Sequence, residues 1–143
     1  MRKGRTTICI FLYGGSIYTL LEILWRGRSH WTMTLTGGLC LLLLHEMDRR
    51  LGKMPFLLRC FTGAMGITGI EFLVGVVVNL VLDMNVWDYS GRWGNILGQI
   101  CPLFTVLWFC LCIPAFLLAR RITAILELPA EKTAWQTVSD PAN

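Results

Sequence analysis

The 143-residue chain is 55% hydrophobic and only 15% charged, too little polar surface for a soluble domain of this size. Its formal net charge of +4 does not mark a nucleic-acid binder, because the basic residues sit at the ends of apolar blocks and not along one soluble face. The six cysteines, Cys9, Cys40, Cys60, Cys101, Cys110 and Cys112, fall in or beside the apolar stretches without metal-ligand spacing, so they read as packing residues and neither metal nor cofactor is expected.

A spanning helix needs about 20 mostly apolar residues to cross about 30 Å of hydrocarbon, and the sequence offers four such stretches. The expected fold is therefore all-α: a polytopic bundle of about four transmembrane helices over residues 1–120, then a short cytoplasmic tail over 121–143. The first helix is predicted at 7–25. Its basic start resembles a signal peptide, but no small-residue cleavage pattern follows and the apolar character continues through LLEILW, so the segment is expected to be retained. Within it Gly15, Tyr18, Glu22 and Arg26 are spaced three, four and four, placing Glu22 one turn from Arg26 for an ion pair.

After the loop RGRSH, a second helix is predicted at 31–47. It is short for a span, and its Trp and His ends suit the interface. The segment EMDRRLGK reads as a charged loop, and Pro55 suits the start of a third helix at 57–82. Here Glu71 lies about 14 residues, or about 20 Å, into the span, where a charge costs on the order of 3 kcal/mol. It must be paired or protonated. Thr68, Glu71, Gly75 and Asn79 form one stripe that should face protein or water. Gly63, Gly66 and Gly69 read as allowing close helix approach.

The linker DMNVWDYSGRWGN leads to a fourth helix predicted at 96–119, bent near Pro102 or Pro114. Asn95 and Gln99 open it on one face, at a height similar to Asn79. Trp108 and the GLCLLLL run of the second helix read as packing and lipid contact. Ten Lys and Arg (Arg2, Lys3, Arg5, Arg49, Arg50, Lys53, Arg59, Arg120, Arg121 and Lys132) flank one side of the spans. Arg26, Arg28 and Arg92 flank the other, so both termini are predicted to be cytoplasmic. Trp25, Trp31, Trp87 and Trp93 border the two outer loops as an aromatic collar. The two halves share a coarse plan that, as a repeat, would be parallel.

Three helices thus offer polar groups to a common interior, and an ion, proton or small polar solute site is expected around Glu71, with Glu22, Asn79, Asn95 and Gln99 as further members. The plainer alternative is that these groups satisfy one another between helices. In the outer loops Arg26, Arg28 and His30 face the partly acidic Asp83 and Asp88, which predicts loop-to-loop ion pairing or, alternatively, a headgroup or anion site. No paired-His metal motif, nucleophile elbow or P-loop occurs. An enzyme is not expected, and any ATPase partner must be a separate polypeptide.

Glu71, Gly75 and Asn79, then Trp87, Asp88, Tyr89 and Ser90, then Asn95, Gly98, Gln99, Ile100 and Cys101, ending at Trp108, resemble the bacterial membrane family of putative ABC-transporter type IV, or CmpB-like, permeases. The spacing from WDYS to NxxGQIC is the specific part, and YGG, EILWRG and HWTM in the first half look like a short form of the same family. The resemblance implies a polytopic plasma-membrane protein with permease activity. Function therefore reads as a permease-like component, probed against two other classes: a structural or regulatory membrane subunit, and a holin-type pore former. A homo-oligomer or larger membrane complex is expected, because four short helices enclose little space.

Overall fold

The computed structural model describes residues 2–127; the rest of the predicted tail, including Lys132, lies outside the described residues. The described chain is helical: α1 Arg2–Arg26, α2 Trp31–Arg50, α3 Phe56–Gly75 with a π-helical continuation Val76–Val81, and α4 Pro102–Glu127. Three spans qualify for membrane crossing by length and apolar character, Gly4–Arg26, Phe56–Val81 and Pro102–Leu126. The second helix, expected as a fourth span, is not among them. Its last turns carry Glu46, Asp48, Arg49 and Arg50, and it packs against α1, α3 and α4.

The helices alternate in direction, so the start of α1 and the end of α4 lie together. Ile10 packs with Leu41, Ala119 and Ile122 there. A second cluster joins Cys40 and Leu44 of α2 to Cys60, Ala64 and Ile67 of α3 and Cys112 and Phe116 of α4. Small side chains let these helices approach, as membrane packing requires. The tightest approach is at Gly14 and Gly37, where a Cβ on Gly14 would stand 2.6 Å from the Gly37 carbonyl oxygen and one on Gly37 2.2 Å from the Tyr18 Cβ. Leu12, Leu24, Phe61, Leu73, Val106 and Leu117 point outward, a lipid-compatible face around the satisfied helical backbone.

Four further expectations change. Residues 96–101 do not begin α4: Leu97 and Gly98 take positive φ of 52° and 68°, and Ile96 pairs with Ile100 across a tight turn. The fourth helix instead starts at Pro102, whose missing N–H costs nothing in a first turn, and continues past Ala119 with Pro114 inside it. The presumed loop EMDRRLGK is helical through Arg50. Its Asp48 accepts from Arg59 of α3 and from Arg120 of α4, the latter through two bonds of 2.7 Å. Arg59 is thus a buried structural cation and not a free juxtamembrane charge. Finally, Trp87 is only 5% exposed, so the aromatic collar reduces to Trp25, Trp31 and Trp93.

Candidate functional site

Glu71 is 2% exposed, and no ion pair reaches it among the described residues. Two neutral donors hold it. The Tyr18 hydroxyl of α1 donates to Oε1 at 2.9 Å and the Trp108 indole N–H of α4 donates to Oε2 at 2.6 Å. The two rings stack with centroids 5.5 Å apart. One turn along α3, Thr68 donates to Thr105 of α4 at 3.1 Å. The carboxyl thus ties three helices, and Trp108, read from sequence as packing, is one of its two ligands. The available sequence signal was that a buried indole N–H needs an acceptor and that Thr105 and Trp108 share a face of α4.

The other predicted members separate into local networks. The π turn directs both Val78 and Asn79 inward, and Asn79 then spans to the linker: its amide donates to Gln99 Oε1 at 2.8 Å and its Oδ1 accepts the Val86 N–H at 2.7 Å. Gln99 also accepts the Trp87 indole on its backbone carbonyl at 3.0 Å. Gly75 makes room for this, since a Cβ there would stand 2.5 Å from Gln99 Oε1. Asn95 stays in the linker, where it accepts from Gly98 N–H at 3.0 Å and donates to the carbonyls of Ser90 and Arg92. Asn79 and Gln99 meet as expected, while Asn95 organises a turn.

Glu22 pairs with Arg26 at 2.5 Å as the spacing predicted, and takes a second bond from Ser29 at 2.8 Å. The two outer loops are joined not by opposite charges but by Arg26 donating to the Val86 carbonyl at 3.1 Å. His30 caps α2 through Thr32. Asp88 accepts from both the Ser90 N–H and its hydroxyl at 2.8 Å, which hold its carboxyl below the usual range. Tyr89 stacks on Phe104 with centroids 4.4 Å apart, and burial pushes its phenol up.

Between α1, α4 and this linker lies a cavity of about 720 Å³ that opens at the surface. Tyr18 and Trp108 form part of its wall, so the ring pair that binds Glu71 separates the carboxyl from the cavity.

The family model described as Putative ABC-transporter type IV matches residues 6–139. The chain belongs to that family. No curated protein and no solved structure matches it. Within this type IV family member, the stretch that carried the resemblance, WDYS through NxxGQIC, is the folded linker whose Trp87, Asn95 and Gln99 bonds close one end of the bundle.

Proposed function

We propose that the protein is a permease-type component of the plasma membrane, without catalytic chemistry of its own, whose interior binding group is Glu71. The observation that carries this reading is a buried carboxyl given two neutral donors and no cation, one aromatic layer behind an open cavity. A carboxyl at span depth is expensive, and interhelical polar contacts of the ordinary kind return only about 0.6 kcal/mol. Stability alone is a poor reason to keep it. The cargo is an ion, a proton or a small polar solute, admitted when Tyr18 and Trp108 part from the carboxyl. Both termini lie on the cytoplasmic side, as the excess of Lys and Arg there supports. Energy coupling, in a family with this description, comes from a separate ATPase polypeptide, and the working unit is a homo-oligomer or larger complex.

A second reading, a structural subunit, draws on the fact that both Glu71 oxygens are already engaged within the chain. Proteoliposome flux separates the two. Across a panel of cations, protons and small polar solutes, wild-type flux that Glu71→Gln removes from a folded protein supports the permease. Silence from both proteins moves the assignment to the subunit, which should then co-purify with a larger assembly, and equal flux from both sinks the Glu71 site in favour of a pore.

A further inference from the structure

The cavity between α1 and α4 has a polarity pattern that the Glu71 site leaves unused. One part of its wall is apolar, with Leu21 of α1 and Leu107 and Leu111 of α4, and of these Leu21 and Leu107 are also exposed on the outside of the bundle. The loop end is charged, with Glu22, Arg26, Arg28, Asp88 and Arg92. Its negative groups are spent internally: both Glu22 oxygens accept from Arg26 and Ser29, and both Asp88 oxygens accept from Ser90. The side chains of Arg28 and Arg92 make no ion pair among the described residues. The cavity therefore presents two unengaged guanidinium groups at one end and a hydrocarbon wall at the other.

We propose that this cavity binds an anionic membrane lipid, its phosphate against Arg28 and Arg92 and one acyl chain along Leu21, Leu107 and Leu111. Guanidinium groups suit phosphate because their planar donors match its oxygens. A free inorganic anion would leave the apolar wall without a partner. A zwitterionic lipid would bring a cation to an end where the guanidinium groups of Arg26, Arg28 and Arg92 outnumber the carboxylates of Glu22 and Asp88. At about 720 Å³ the cavity falls in the usual range for a small-molecule site, and a second acyl chain would lie outside it, against the exposed apolar surface that begins at Leu21 and Leu107. The lipid site shares its cavity with the proposed approach to Glu71, but none of its contact residues bonds that carboxyl, so its test does not depend on the Glu71 reading.

The test is native mass spectrometry of the detergent-solubilised full chain, offered phosphatidylglycerol and phosphatidylcholine of identical acyl chains at equal concentration. Phosphatidylglycerol should be retained preferentially. Arg28→Gln with Arg92→Gln should weaken that retention about 25-fold, about fivefold per charge, while Arg49→Gln with Arg50→Gln at the opposite end should leave it unchanged. Leu107→Trp, which fills the apolar wall without altering charge, should also reduce retention, and it keeps the test open if the double arginine variant does not fold. Glu71→Gln should have no effect. Equal retention of the two lipids, an equal loss in the opposite-end variant, or displacement by millimolar inorganic phosphate regardless of acyl chain would each overturn the proposal, the last in favour of a free-anion site.

Discussion

Two carboxyl groups, one half-buried and one buried, tie helices together, and the bundle treats them in opposite ways. Asp48, where α2 meets α3 and α4, receives two arginines, one of them only 5% exposed. Glu71, deep in α3, receives a phenol and an indole. The same fold that supplies cations at its end supplies none at its middle. Asp48 is therefore a fixed ionic clasp, whereas Glu71 is held by neutral donors that tolerate either protonation state. That contrast is the one the proposed permease reading rests on.

The largest effect should come from breaking the clasp. Asp48→Ala strands Arg59 in a buried position, and removing one partner of a buried pair typically costs about 3–5 kcal/mol. Thermal or detergent-titrated unfolding should register most of it, and a loss below about 1 kcal/mol would mean that Arg59 finds water or the carbonyls of Gly52 and Met54 sufficient. The same clasp predicts a pH dependence. Hydrogen bonds from Arg120 and then Arg59 hold the Asp48 carboxyl below the usual range. Its folded-state pKa is depressed, so its contribution is present above the ordinary aspartate value near 3.9 and is lost as pH falls through the lower folded value. Wild type should lose stability in that acid window, and Asp48→Asn should show a flatter profile there.

A middle-sized effect is expected from the linker. Asn79→Ala leaves the Val86 N–H and Gln99 Oε1 without their partners, at about 1–3 kcal/mol for each buried group so stranded. Hydrogen exchange at the Val86 amide should rise with the loss of global stability. Protection unchanged at Val86 would show that the linker does not depend on the π turn for its anchoring.

Much of the helical plan was readable because span length and apolar runs are set by backbone hydrogen bonding in hydrocarbon. The Glu22–Arg26 pair followed from helix periodicity alone. The misplacement at Ile96 has a physical origin: NILGQIC has the composition of a helix start, but Asn95 captures the Gly98 N–H and positive φ at Leu97 and Gly98 turns the chain back, a choice made by side chain–backbone bonding that apolarity does not report. The partners of Glu71 were out of reach for a different reason. Periodicity indicates which face of α3 is polar, but that Tyr18 and Trp108 sit opposite it depends on how α1 and α4 are rotated, which is settled by the close contacts at Gly14, Gly37 and Gly63.

The smallest effect should be at Glu71. Glutamine keeps the volume of Glu71 and one acceptor oxygen while replacing the other with a donor amide. Trp108 can only donate, so it claims the oxygen; the Tyr18 hydroxyl can donate or accept, so it can rotate and take the amide hydrogen. Each of the three side chains then keeps at least one hydrogen bond, and Glu71→Gln should shift unfolding by about 1 kcal/mol. Glu71→Leu denies both Tyr18 and Trp108 an acceptor and should cost about 1–3 kcal/mol for each donor left buried. If instead Glu71→Gln unfolds the protein as severely as Asp48→Ala, the negative charge at Glu71 is structural after all, and the contrast between the two carboxyls collapses. A stable Glu71→Gln protein that has lost flux would place the same charge in function and nowhere else.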